Sequence, residues 1–408
     1  MRDNLLVFGS PQILPEDVNE VLDSLEKCWL GTGPKVARFE ADFARYKGVS
    51  QAVAVHSCTA ALHLAMLAEG IGPGDEVITT AMTFCATVNA ILHAGASPVL
   101  ADCDRRSLNL DPEDVLRKIT PHTKAILPVH FAGRMCDMDS LEAIAGQHGL
   151  KIIEDCAHAV ESNYRGRSAG TIGDCGCFSF YATKNVACGE GGMVLARREE
   201  TLARVKTLAL HGMTKDAWQR FSDKGYRHYQ VVECGFKYNM MDLQAAIGIH
   251  QLRRVESNWI KRKAIWDRYN AAFADFPVVV PLPLEPENRH GLHLYTLLLD
   301  LDRLRISRDE FIAFMTAFKI GVGVHYLPIH THVYYAKRLR LKPNDFPNAL
   351  WVGERTVSLP LSPAMTTADA DDVITAVTSI LKRNRRLRPL SREVNLLHRE
   401  SSRKAPRH

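Results

Sequence analysis

The stretch A-V-A-V-H-S-C-T-A-A-L-H-L-A-M-L (52–67) reads as a short apolar strand over 52–56 that turns directly into an apolar helix over 59–67. Both segments are apolar on every side, so each is expected to be covered by neighbours rather than to face water. The same unit recurs downstream. G-I-G-P-G-D (70–75) is a turn, 76–80 a strand, 83–93 a helix and 98–101 a strand. Asp111 and Pro112 supply an N-cap and a first-turn proline for a helix running to residue 119. A strand over 125–130, a helix over 138–148 and a strand over 151–155 continue the series. Alternation of this length predicts an α/β fold, with right-handed crossovers, a mostly parallel sheet and helices on both faces.

Two shorter strands, 177–180 and 193–196, precede a change of character. A long helical region over 241–273 is followed by a Pro-rich break, P-V-V-V-P-L-P-L-E-P (277–286). Beyond it come a strand over 293–300 and a helix opened by the capping box Ser307-x-x-Glu310. The expected division is a large α/β domain with its N-terminal segment over 1–276, a smaller C-terminal α+β domain over 277–381, and a tail over 382–408. The tail holds ten Lys or Arg against two acids, so of the net charge of +5 it carries +8 and residues 1–381 about −3. Its Arg, Ser and Pro content reads as a disordered terminus, and the mildly acidic body argues against a nucleic-acid partner.

With 46% apolar and 24% charged residues, the 408-residue chain has the balance of a globular protein with a sizeable core. No run reaches the roughly 18 to 20 apolar residues of a membrane span. The start, M-R-D-N-L-L-V-F-G-S, lacks a signal-peptide pattern. Ten cysteines are scattered without a C-x-x-C pair, which fits a reducing compartment. A cytoplasmic protein without membrane partner or zinc is expected.

Open parallel sheets bind ligands at the carboxyl ends of their strands. Asp155 ends the strand in I-I-E-D-C-A-H-A (152–159), and Ser179 and Lys184 lie near the end of F-S-F-Y-A-T-K (178–184). S-C-T-A-A (57–61) opens a helix whose first N–H groups suit an anion. A phosphate cradle, a buried acid and a lysine beside a small hydroxyl residue together suggest pyridoxal 5'-phosphate. The lysine serves its Schiff base, and the carboxylate keeps the ring nitrogen protonated, so that the ring accepts electrons. Taken singly, each feature has a structural reading: Asp155 as a helix cap, Ser179 as a partner of backbone, Lys184 as a loop lysine, His158 as a buried histidine. His325, His330 and His332 lack the carboxylate or cysteine spacing of a metal site, so no metal is expected. Neither G-x-x-x-x-G-K-[ST] nor a strand-borne G-x-G-x-x-G occurs.

Further motifs carry a resemblance over about residues 15–381. They are W-L-G-T-G-P (29–34), S-C-T-A-A-L-H-L-A (57–65), G-P-G-D-E-V-I (72–78), F-S-F-Y-A-T-K-N (178–185), G-E-G-G-M (189–193) and G-F-K-Y-N-M-M-D-L-Q-A-A-I-G (235–248). In this combination and order the chain resembles the DegT/DnrJ/StrS-type nucleotide-sugar aminotransferases, with pyridoxal-phosphate fold-type I architecture. The resemblance implies that Lys184 forms the Schiff base, that Asp155 meets the pyridine nitrogen and that His158 faces the ring oxygen. Phe84 matches the stacking aromatic, Thr59 and Ala60 the backbone donors to the phosphate, and Ser179 its hydroxyl donor. Asn239 matches an asparagine that reaches the phosphate from the neighbouring subunit, which implies a homodimer with shared sites. Cys58 departs from the commoner glycine of the phosphate turn.

The implied reaction moves an amino group from an amino acid, glutamate by resemblance, to a keto-sugar on a nucleotide diphosphate. The motifs around His158, Asn239 and H-Y-L-P-I-H (325–330) resemble the branch acting on 4-keto sugars, and a 4-keto-6-deoxy sugar is the expected substrate. His325, Tyr326 and His330 are candidate substrate contacts, with domain packing as the equal alternative. Relatives that dehydrate the sugar carry histidine in place of the Schiff-base lysine, and Lys184 argues against that branch. A sugar-binding regulatory protein on the same fold would need neither Lys184 nor Asp155.

Overall fold

In the computed structural model, which describes residues 2–214 and 229–386, helices α1 (Pro15–Glu26) and α2 (Pro34–Lys47) lead into the strand–helix series. Strand β1 (Val53–Val55) passes through Ser57 into α3 (Cys58–Ala68). There follow β2 (Glu76–Thr80), α4 (Cys85–His93), β3 (Ser97–Ala101), α5 (Pro112–Lys118), β4 (Thr123–Leu127), α6 (Met138–His148) and β5 (Lys151–Asp155). A small hairpin, β6 (Asn163–Tyr164) and β7 (Arg167–Ser168), precedes β8 (Cys175–Ser179), β9 (Gly192–Ala196) and α7 (Glu199–Ala209).

The main sheet has the order β1-β9-β8-β5-β4-β2-β3. It is parallel except for β9, which runs antiparallel to both its neighbours. The carboxyl ends of β1, β5 and β8 therefore share an edge with the amino end of β9. The strands are buried on both faces, with β1 and β8 covered along their whole length, which is why their sequences lack period-two alternation. One face packs on α2, where Phe43 lies edge-on to Phe178 at 5.0 Å and to Phe180 at 5.5 Å. The other packs on α3 and α7 through Leu62, Met66, Leu202 and Val205.

The region expected as one helix over 241–273 is two, α8 (Asp242–Arg253) and α9 (Val255–Phe273). The chain changes cores between them: Ile249 and Leu252 pack in the large domain, Trp266, Tyr269 and Phe273 in the second. Arg254 holds the break, bonded to Gln12 O at 3.1 Å and Asp17 at 2.6 Å. The second core thus begins on α9, upstream of the Pro-rich stretch. The chain continues through β10 (Val278–Val279), β11 (Asn288–Arg289), β12 (Tyr295–Leu299), α10 (Arg308–Ala317), α11 (Val333–Arg338), α12 (Pro347–Gly353), β13 (Thr356–Leu359) and α13 (Thr367–Arg383); β12, α10, β13 and α13 complete this core, whereas Tyr335, Ala349 and Val352 of α11 and α12 pack with Met82, Val88 and Phe131. Strands β10, β12 and β13 form an antiparallel sheet, whereas β11 pairs with β6. The capping box forms, with Glu310 N–H donating to Ser307 Oγ at 3.2 Å.

Residues 382–386, the first of the expected tail, pack on the second domain. Helix α13 runs to Arg383, and Arg386 donates from its amide to Arg303 O at 2.9 Å and from Nε to Leu304 O at 2.6 Å. The remainder of that expectation, over 387–408, lies outside the described residues. Among those described, no helix is long and apolar enough to cross a membrane.

Candidate active site

The shared strand edge opens into a cavity of about 530 Å³, within the range of small-molecule sites. Each side chain on its wall is delivered by an element end. Ser57 and Thr59 come from the β1–α3 turn, Phe84 from the start of α4, and Asp155 from the tip of β5. Ser179 comes from the tip of β8, Lys184 from the turn after it, and Glu190 and Gly191 from the approach to β9. His158, His325 and Tyr326 close the other side. Gly192 keeps β9 against the helix start: a Cβ there would lie 2.5 Å from the Ser57 carbonyl carbon.

Asp155 is buried, and desolvation raises its carboxyl pKa above the ordinary value. Two donors oppose that shift, the Ala157 amide on Oδ1 at 3.1 Å and the Thr87 hydroxyl on Oδ2 at 2.9 Å. Thr87 is paired in turn with Thr83 at 2.7 Å. These bonds fix the carboxylate plane as a second row of support fixes a ligand. Lys184 undergoes the opposite shift. Burial pushes its amine down to about 8, with Cys58 and Asp155 opposing. Near neutral pH it therefore has an accessible uncharged form, the one that acts as nucleophile and base.

His158 is buried, and desolvation together with Lys184, His293 and His325 holds its pKa far below the usual histidine value. Its Nδ1 accepts from the Ala132 amide at 3.2 Å, and its Nε2 meets the Tyr326 hydroxyl at 3.0 Å. The His293 ring lies 4.5 Å from that of His158. Behind it, His293 Nδ1 bonds Asn185 Oδ1 at 3.1 Å, and Asn185 donates to Glu161 and to Gly291 O at 2.8 Å each. Glu161 accepts from the buried Arg262.

The cavity thus brings together Lys184, Asp155, His158, Thr59, Phe84, Ser179, His325 and Tyr326. Three expected residues are placed elsewhere. The Ala60 N–H donates to Ser57 Oγ at 3.2 Å, so in this chain Ala60 is used in capping; the first helix N–H groups, at Cys58 and Thr59, have no intrahelical partner. Asn239 lines a separate groove, with Nδ2 donating to Thr32 Oγ1 at 2.6 Å and a buried Oδ1 without partner among the described residues. His330 lies outside the cavity lining, in the packing arrangement that is its alternative reading: its buried ring packs on Phe346 at 5.0 Å and bonds Pro343 O at 3.0 Å. The sequence reading missed Thr87, Asn185 and His293. Asn185 had a signal in its place beside Lys184, and His293 had none, because only folding carries it across from the second domain.

A comparison with protein families matches residues 11–378 to the DegT/DnrJ/EryC1/StrS aminotransferase family. The chain belongs to this family. It is 48% identical over 382 residues to the spore coat polysaccharide biosynthesis protein SpsC of Bacillus subtilis (strain 168), covering 93% of this chain and 98% of SpsC. The putative sugar aminotransferase Spr1654 of Streptococcus pneumoniae in its PLP form is similar with a TM-score of 0.87 at 31% identity, over 93% of this chain and 99% of that one. Helicobacter pylori PseC, an aminotransferase involved in the biosynthesis of pseudoaminic acid, is similar with a TM-score of 0.86 at 26% identity, over 93% and 100%. The family member described here is a sugar aminotransferase that uses pyridoxal phosphate.

The residues present fit that cofactor. A buried carboxylate, an amine of lowered pKa and an unpartnered helix start with a neighbouring hydroxyl face one cavity, the donor set that a pyridine nitrogen, an aldehyde and a phosphate need.

Proposed function

We propose that this enzyme transfers the amino group of glutamate to a nucleotide-linked 4-keto-6-deoxy sugar, and that it does so as a homodimer. The observation that carries the reading is the meeting of Lys184 and Asp155 in one cavity at the carboxyl edge of the sheet. The relatives support the sugar: SpsC is a protein of spore coat polysaccharide biosynthesis and PseC acts in the biosynthesis of pseudoaminic acid.

When bound, pyridoxal phosphate supplies an electron sink for the bond broken next to the transferred nitrogen. The chain's own residues do the rest. Thr59, the α3 start and Ser179 would hold the phosphate, and Phe84 would face the ring. Asp155, oriented by Thr87 and Ala157, would keep the proton on the ring nitrogen. Lys184 would hold the aldehyde and, once released as a free amine, would serve as the base and acid that moves the proton. His158, neutral, accepts from the Ala132 amide at Nδ1 and turns its other ring nitrogen to the Tyr326 hydroxyl. For the homodimer, Asn239 is the reason: its side chain lies outside its own chain's cavity, and a partner's cavity is where its carbonyl oxygen, unpartnered among the described residues, is of use.

The test is a discharge experiment. Enzyme charged with glutamate and freed of it by desalting is presented with a panel of nucleotide keto-sugars. A 4-keto-6-deoxy sugar should restore the yellow form and yield the amino sugar. Discharge by 3-keto sugars alone would refute the choice of carbon.

A further inference from the structure

We propose that the Tyr326 hydroxyl is the hydrogen-bond donor to the keto oxygen of the sugar, its proton aimed into the cavity by a directional chain running from the Ala132 amide through His158. The inference rests on the keto-sugar reading above and adds a residue to it.

The direction of the chain follows from what each group can do. A backbone N–H only donates, and that of Ala132 lies 3.2 Å from His158 Nδ1. Nδ1 must therefore carry its lone pair, and a neutral imidazole then carries its proton on Nε2. Nε2 lies 3.0 Å from Tyr326 Oη, so the imidazole donates and the phenol oxygen accepts. The tyrosine's own O–H is left over. It has no second partner among the described residues, and Tyr326 lines the cavity.

The arrangement cannot easily reverse. Reversal requires a charged or rotated His158, and burial and the nearby Lys184, His293 and His325 keep the ring uncharged. Rotation is opposed by the His293 ring, itself tied to Asn185 at 3.1 Å. Burial also raises the Tyr326 pKa, so the hydroxyl keeps its proton through the working pH range. The Tyr326 ring is held between Phe84 at 5.8 Å and Phe131 at 6.1 Å. His325 shares the cavity, but its Nδ1 is occupied by Ser358 at 2.9 Å.

A free O–H at this place matches the need of the sugar half-reaction. As the incoming amine nitrogen bonds to the keto carbon, the π pair of the C=O moves onto oxygen. A donor placed there stabilises the growing charge. The oxygen then leaves as water, with its two hydrogens drawn from the amine nitrogen. Tyr326 ends the step with its own proton, having lent only a hydrogen bond.

The test is Tyr326→Phe, nearly isosteric, with each half-reaction followed separately on cofactor-loaded enzyme. The sugar half should slow about 100-fold, within the range for removing one such donor, and the amino-acid half by less than about threefold. The absorption spectrum of the bound cofactor and its pH titration should be unchanged. Equal losses in both halves, or an unaffected sugar half, overturn the assignment. A shifted spectrum or titration also overturns it, because the hydroxyl would then serve the cofactor. Wild-type enzyme that no keto-sugar discharges would instead defeat the substrate reading, and this assignment with it, before any variant is made.

Discussion

Burial pushes the Lys184 amine down to about 8 and the Asp155 carboxyl up, each toward its uncharged form. For the lysine this has a direct consequence. The cofactor's aldehyde reacts only with the uncharged amine, so loading of the apoenzyme should accelerate with pH and level off above about 8. A free lysine would continue to gain up to about 10.4. Loading rates across that range, read as absorbance, check the lowered value. For the aspartate, hydrogen bonds must oppose burial. Asp155→Asn keeps the shape and loses the charge, and should slow both half-reactions by at least about 100-fold while cofactor binding weakens far less. Thr87→Val removes one of the two bonds to the carboxylate and should cost about tenfold in catalysis, in line with about 1.5 kcal/mol for a bond to a charged group. Single-turnover rates near normal in both variants would make Asp155 a structural cap.

At the scale of elements, the site depends on the β1–α3 turn lying close to the entry of β9. Gly192→Ala would place a methyl 2.5 Å from the Ser57 carbonyl carbon and 2.8 Å from the Cys58 nitrogen, backbone that cannot swing aside as a side chain can. We expect a folded protein whose helix start is displaced and whose cofactor affinity falls at least tenfold, checked by equilibrium dialysis beside circular dichroism. Most of these elements were legible beforehand, because a strand that turns into an apolar helix within two residues leaves few other folds. Asp155, Ser179 and Lys184 were legible for the same reason, as polar residues at the ends of apolar strands. The break at Arg254 was not, since α8 and α9 are each helical and differ only in which core they meet. Nor was the role of His330, because a histidine in a ligand cavity and one packed on Phe346 look alike in sequence. Thr87 escaped because a threonine on a helix gives no local sign of the strand end that it faces.

The whole molecule adds what one chain lacks. Asn239 faces a groove shared with Thr32 rather than the cavity of Lys184, and the proposed dimer gives it a cofactor in the partner. Lys184→Ala and Asn239→Ala homodimers should both be impaired. After subunit exchange, one site of the mixed dimer holds both lesions and the other none, so activity should rise above that of either parent. No gain after verified exchange, with Asn239→Ala defective by itself, would place Asn239 in service of its own chain. The account as a whole is that this cavity moves nitrogen onto a sugar through Lys184. The most direct measurement follows that nitrogen: glutamate labelled with heavy nitrogen is supplied with a nucleotide-linked 4-keto-6-deoxy sugar, and the sugar product is weighed. The account predicts heavy nitrogen on the sugar carbon that held the keto group, and none with Lys184→Ala. A product that has lost oxygen without gaining nitrogen, or equal labelling with the Lys184→Ala enzyme, would contradict it.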